Sequence, residues 1–249
     1  MAVSHLVLTI IIAESALQLV PKEIQSHAQI KQYAKRRQKQ AEEVLLDRAF
    51  HHAAMQKLAR RGHPLQVERM GRPDIVHTTL LQILETPLNW EHQLRVLVHT
   101  QDDQVITINP RIRLPKNYVR FVGLMEQLLA QKRVPETGET LMQVEKSNLR
   151  QIVRSTAAEK VFGFSTLGKH MLMRDVARQS SESENPLVFI GGFPRGHFTE
   201  ETHRLLDAIY CVDRESLDAC VVAGRFVYDF EWAIGLAQGR VKHSQDEQS

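Results

Sequence analysis

Three stretches of this 249-residue chain combine residue types that could do chemistry, and a fourth pair could assist them. The run Phe189-Ile-Gly-Gly-Phe-Pro-Arg-Gly-His-Phe198 follows a short apolar segment. Gly191, Gly192 and Gly196 carry no β-carbon, so the backbone there can turn sharply and approach a ligand closely. Their spacing is neither the G-x-G-x-x-G of dinucleotide sites nor a P-loop, because no G-K-S/T follows. A plain structural turn is the alternative. Val212-Asp-Arg-Glu-Ser-Leu217 lies between another apolar run and a helical stretch. Ser216 is placed to cap that helix, whose free backbone N–H groups could also receive a ligand. From Asn109 to Arg120 there are four basic residues and no acid. Pro110 and Pro115 keep the backbone extended, so Arg111, Arg113 and Lys116 stand out from a stiff loop, with Arg120 opening the next helix. Planar guanidinium forks suit phosphate oxygens, which points to a nucleic-acid backbone. Tyr118 and Phe121 add aromatic faces for a base, although Phe121 also fits the core stripe of its helix. In the fourth pair, Asp74 could hold Arg72 in one pose, or the two only open a helix with a surface ion pair.

Other chemistries lack support. Twelve histidines raise a metal site, but His51 and His52 point different ways on a helix and no H-E-x-x-H or His/Cys ligand spacing occurs, so no metal is expected. There is no G-x-S-x-G elbow of a serine hydrolase. Cys211 and Cys220 are too few for a disulfide framework, and read as core thiols in a reducing compartment. With 43% hydrophobic and 24% charged residues, the composition is that of a globular protein and excludes a disordered or collagen-like chain. The net charge of +3 proves no partner by itself; its distribution is more telling, with nine Lys or Arg against three acids from Lys31 to Arg61. That run reads equally as a solvated face. The apolar run Leu6 to Ala13 has no preceding cation and is followed by Glu14, so it reads as a buried strand and not as a signal peptide. No stretch reaches the roughly 20 apolar residues of a membrane span, and the expectation is a soluble, cytoplasmic protein with no membrane partner.

The positioning elements follow from periodicity. Leu45, Leu46, Ala49, Phe50, Ala53, Ala54 and Leu58 recur at three and four, which predicts a helix with those residues on its buried face. Pro73 at a first helical position and Asp74 in the first turn open another helix, striped by Val76, Leu80, Ile83 and Leu84 and stopped by Pro87. Leu94–Val98 and Val105–Ile108 predict a hairpin across a polar turn. Phe121, Leu124, Met125, Leu128 and Leu129 mark a helix from Tyr118 to Lys132. The short runs Lys160–Phe164, Leu187–Ile190 and Ala208–Val212 show no polar alternation, as central strands covered on both faces do. Each precedes a loop and a helical stretch, the last from about Ser216 to Gln238, so the chain predicts an α/β fold with a largely parallel sheet flanked by helices. Residues 1–249 read as one domain, with a basic helical insertion around 25–61 and a disordered tail around 242–249.

Taken in order, Leu45-Leu-Asp-Arg-Ala-Phe-His-His-Ala-Ala-Met55, Gly71-Arg-Pro-Asp-Ile-Val-His77, Ile108 to Leu129 and Phe189 to Phe198 closely resemble the ribosome-biogenesis methyltransferases of the SPOUT superfamily, in their archaeal form. These act on a pseudouridine of small-subunit ribosomal RNA. The resemblance covers about residues 6 to 238. It implies a SPOUT (α/β knot) fold with a C-terminal trefoil knot, S-adenosylmethionine as methyl donor, a homodimer, and methylation of pseudouridine N1. It puts the donor on Phe164, Gly191, Gly192, Gly196 and Val212, Asp213, Arg214, Glu215, Ser216 and Leu217, largely through backbone groups. RNA falls to Arg72, Arg113, Lys116 and Arg120, with Asp74 fixing Arg72. Lys116 stands where the family usually has arginine, which keeps the charge but not the bidentate fork. No side chain in these motifs is singled out as the general base. Two rivals stay open: an RNA-binding assembly factor in which methylation is secondary or absent, and a small-molecule nucleotide enzyme, which would not need the acid-free loop.

Overall fold

The computed structural model describes residues 6–60 and 67–246, the last five of them by their backbone alone. Eight strands form one sheet: β1 (Leu8–Ser15), β2 (Leu94–Thr100), β3 (Gln104–Ile108), β4 (Arg133–Val134), β5 (Met142–Lys146), β6 (Val161–His170), β7 (Leu187–Gly191) and β8 (Ala208–Cys211). Their order is β4-β5-β3-β2-β1-β7-β6-β8. β1 runs parallel to both β2 and β7, and β6 is parallel to β7 and β8. The hairpin β2–β3 and the pairs β3–β5 and β4–β5 are antiparallel. The sheet is therefore mixed, parallel in the half that carries the glycine loop. No strand is expected over β4 or β5: β4 has two residues, and β5 has only two apolar ones, Met142 and Val144, set between polar neighbours.

β1 is central because both of its faces are apolar. Side chains alternate across a strand, so Leu8, Ile10 and Ile12 enter one layer while Ile11 and Ala13 enter the other. The first layer holds α4 (Pro73–Leu84), α6 (Tyr118–Gln131), α8 (Met173–Ser181) and α10 (Ala219–Ala233). The second holds α7 (Leu149–Thr156) and the chain around Leu205 and Leu206. Val76, Leu80, Ile83 and Leu84 of α4 are all buried as predicted, each contributing roughly 1.5–3 kcal/mol. α4 ends at Leu84, and Pro87 does not stop it but opens α5 (Pro87–Trp90).

The basic segment after β1 comprises α1 (Lys22–Gln25), α2 (Ala28–Arg36) and α3 (Arg48–Ala59), with a small core of its own. The predicted register of α3 is corrected. Asp47 caps the helix by accepting from Ala49 N at 2.8 Å, so Leu45 and Leu46 lie ahead of it. The inward face is His51, Ala54, Met55 and Leu58, while Ala49, Phe50 and Ala53 face out. Arg61, the expected end of this stretch, lies outside the described residues. Buried Glu126 of α6 ties the segment down, accepting from Arg37 Nη2 and Lys39 Nζ at 2.8 Å each and from Leu45 N at 3.1 Å. α9 (Glu200–His203) and α11 (Leu236–Asp246) complete the described helices. α11 covers part of the stretch read as a tail, and 247–249 lie outside the described residues.

Candidate nucleotide and RNA site

The carboxyl ends of β6, β7 and β8 deliver their loops to one cleft, as open α/β sheets do where the strand order reverses. β6 loses register with β8 between Phe164 and Lys169, and the bulge turns Ser165 and Thr166 into the cleft wall. The cavity is about 380 Å³, within the range of small-molecule sites. Phe164, Gly191, Gly196, Val212, Asp213, Glu215, Ser216 and Leu217 all line it, together with Arg72 and Asp74 from the start of α4.

Two expected residues stand elsewhere. Gly192 is buried beneath the wall, where its N–H donates to Ala13 O and its carbonyl accepts from Ala16 N, both at 2.8 Å. A β-carbon there would come within 2.3 Å of Ser15 Oγ, so this glycine is needed for a close chain crossing. Arg214 is not on the wall; it points outward and pairs with Glu215 at 3.6 Å. The cap of α10 is Asp218, not Ser216, because the extended loop runs two residues further before the helix turns. Asp218 makes no side-chain cap bond, and the first residues of α10, Ala219 and Cys220, border the cleft. Both cysteines border the cleft: Cys211 is the buried thiol expected, donating to Asp213 O at 3.0 Å, and Cys220 is half-buried.

Arg72 and Asp74 form a two-pronged pair, Nε to Oδ1 at 2.8 Å and Nη2 to Oδ2 at 2.7 Å. The Asp74 hydrogen bonds raise the pKa of Arg72, so the guanidinium stays charged and fixed in direction. One helical turn further, His77 hydrogen-bonds Pro115 O at 2.8 Å. A carbonyl only accepts, so Nε2 carries the proton. At 1.5 Å rise per residue, His77 lies about 5–8 Å along α4 from the Arg72–Asp74 pair. Helix α4 thus carries one end of the cleft and holds the basic loop by its backbone. Asn89 Nδ2 holds Pro110 O at 3.0 Å, and Ile112 and Leu114 pack into the core, which leaves the cations outside.

Arg113, Lys116 and Arg120 are exposed and none of them lines the cleft. Lys116 pairs with Glu85 at 3.2 Å; Arg113 and Arg120 form no ion pair among the described residues. Arg111 sits 3.6 Å from Glu139. The Tyr118 hydroxyl donates to Asp47, and burial together with that carboxylate pushes its pKa up. Phe121 is buried and stacks on His77, so it is core and not a base platform. His77, Thr78, Ser165, His197 and Asp218 went unassigned from the sequence, although His77 closes the Gly71–His77 motif. Among the described residues no three His, Cys, Asp or Glu side chains gather as a metal group.

The description EMG1/NEP1 methyltransferase belongs to a family that matches residues 10–231. The chain is 40% identical over 227 residues to the ribosomal RNA small subunit methyltransferase Nep1 of Pyrococcus furiosus, covering 91% of this chain and 97% of that one. It is 42% identical over 229 residues to the protein of the same description from Thermococcus kodakarensis, covering 92% and 100%. A crystal structure of Archaeoglobus fulgidus Nep1 bound to S-adenosylhomocysteine superposes with a TM-score of 0.78 at 33% identity, over 92% of this chain and 99% of that one.

Proposed function

The chain belongs to the EMG1/NEP1 methyltransferase family, and from that premise we propose that it methylates the N1 ring nitrogen of a pseudouridine in small-subunit ribosomal RNA, using S-adenosylmethionine. The observation that carries this reading is α4, which lends Arg72 and Asp74 to the cleft and, through His77, fixes the loop that bears Arg113 and Lys116.

The cleft fits the donor. Gly191 and Gly196 lie in the wall with their β-carbon positions taken by Phe193 and Arg69, so what they offer a ligand is backbone; Phe164, Val212 and Leu217 offer apolar surface to a nucleoside, and the carboxylates of Asp213 and Glu215 suit its positive charges. When bound, S-adenosylmethionine supplies an electrophilic methyl group. Arg113, Lys116 and Arg120 hold RNA phosphates outside, and a base drawn from its stack meets Arg72 at the cleft. Asp74 fixes Arg72 where it can stabilise negative charge developing on the target ring without reorganising. Alignment of the two reactants in one cleft contributes much of the rate.

A second copy of the chain is the protein partner in this reading. Val221, Tyr228 and Trp232 are exposed along one side of α10, a large apolar stripe on a helix that borders the cleft. The trefoil knot and a cytoplasmic location, where small subunits assemble, belong to the same reading. No helix of the described residues is long and apolar enough to cross a membrane.

Purified protein incubated with S-adenosylmethionine and a pseudouridine-containing ribosomal RNA hairpin is expected to add one methyl group by mass spectrometry, and none to the uridine hairpin. The same preparation should sediment as a dimer. No methylation of either hairpin, with donor binding absent by calorimetry, overturns the reading in favour of an assembly factor alone.

A further inference from the structure

A second cavity of about 460 Å³ shares no lining residue with the donor cleft, and Glu14 and Arg69 sit in its lining. Glu14 is buried near the end of β1 and has a φ of +51°, a left-handed conformation unfavourable for a side chain of this kind. Its neighbours hold it there. Its N–H donates to His99 Nδ1 at 3.3 Å, and the opposite ring nitrogen of His99 donates to Asp103 at 3.1 Å. The carboxylate accepts from Thr199 N at 2.9 Å and Thr199 Oγ1 at 2.8 Å through Oε1, and Oε2 meets Arg69 Nη2 at 2.5 Å.

Arg69 spends the rest of its guanidinium on the glycine loop. Nη1 donates to His197 O at 2.7 Å and to Arg195 O at 3.3 Å, and Cζ lies 3.8 Å from the centre of the Phe193 ring. Gly196, between the two carbonyls, has a φ of +83°, and a β-carbon there would stand 3.2 Å from Arg69 Nη1. Phe193, Arg195, Gly196 and His197 are themselves wall residues of the donor cleft. Arg69 thus faces one cavity and shapes the wall of the other.

We infer that Arg69 is a positioning residue for the methyl donor: anchored by Glu14, it sets the glycine loop in its donor-ready shape from behind, without touching the donor. This rests on the donor-site reading above. A guanidinium can meet a carboxylate, two carbonyls and a ring face at once because its donors are fixed in a plane, whereas a lysine ammonium can satisfy only part of that set. A loop held before the ligand arrives spares the ligand the entropy of ordering it.

The test compares wild type, Arg69→Met, Arg69→Lys and Glu14→Gln by calorimetry with S-adenosylhomocysteine, by RNA affinity and by amide hydrogen exchange. Arg69→Met is expected to weaken S-adenosylhomocysteine about tenfold or more, with Arg69→Lys and Glu14→Gln between it and wild type. RNA affinity should stay within about twofold, and exchange should quicken at 193–198 while the central strands keep their protection. In turnover, the donor KM rises and kcat holds. Donor affinity unchanged in Arg69→Met overturns the inference. So does a parallel loss of donor affinity, RNA affinity and protection throughout the sheet, which marks a general structural role. If wild type itself fails to bind S-adenosylhomocysteine, the donor-site reading falls, and exchange at 193–198 still decides whether Arg69 holds the loop.

Discussion

The glycine-loop wall and the basic loop, to which the proposed function gives the donor and the RNA, are made in opposite ways. The wall depends on atoms that are missing. Gly192 lets the chain cross β1 between Ala13 and Ala16, and Gly196 leaves space for Arg69. The basic loop depends on atoms that were added. Its backbone is tied by His77 and Asn89, its apolar side chains are in the core, and its cations end in solvent, Arg111 and Lys116 beside surface carboxylates and Arg113 with no ion pair among the described residues. A wall built from backbone is damaged by adding volume, and a ridge built from charge is damaged by removing it.

The sharpest way to break this contrast is Gly192→Val. Added carbon must displace Ser15 and Ile12 in a packed strand, and a loss of about 3 kcal/mol in urea unfolding is expected, with the donor site lost as a consequence. Stability near that of wild type would show that the wall tolerates volume after all.

Acid should loosen the footing of the ridge. His51 is fully buried, its Nδ1 accepts from Asp47 N at 3.0 Å, and burial lowers its pKa from 6.5 to about 4. The unfolded chain therefore binds the proton first. The contribution of neutral His51 is present above about pH 6.5 and is lost as pH falls toward 4, up to about 3 kcal/mol. The same Asp47 accepts from Tyr118, which opens α6 after the basic loop. Denaturant titrations at pH 7.5 and 5 read the difference, and His51→Gln should flatten it.

Arg72→Ala tests the residue that the proposed function places between the two regions. Turnover on the RNA hairpin is expected to fall about a hundredfold with the fold intact, because the positioned charge at the cleft is gone. A change confined to RNA KM would assign Arg72 to the ridge alone. The smallest effect belongs to Arg113→Ala, an exposed cation without an ion pair among the described residues. RNA affinity should weaken only several-fold, and the slope of log K against log salt should shrink by about one. An unchanged slope removes Arg113 from the interface.

Local chemistry made much of this legible. Pro73 and Asp74 marked the start of α4, the polar turn from Gln101 to Gln104 marked a hairpin, and unbroken apolar runs marked β1, β7 and β8. Reading failed where the signal was shared or short. The α3 pattern absorbed Leu45 and Leu46, which are apolar for a different reason, since they pack ahead of the Asp47 cap. β4 is two residues long, β5 carries only Met142 and Val144 as apolar signal, and the cap position of α10 falls at Asp218, two residues after Ser216.

Residue type and spacing alone determined the apolar strands, the acid-free loop and the glycine run, because each depends on neighbours within a few positions. Only the tertiary structure decided that Arg72 joins residues more than a hundred positions away in one cleft, that Gly192 supports the wall from below, and that Glu14 reaches Arg69 and Thr199. Those contacts come from sheet order and chain crossing, and no local pattern encodes which distant backbone a side chain will meet.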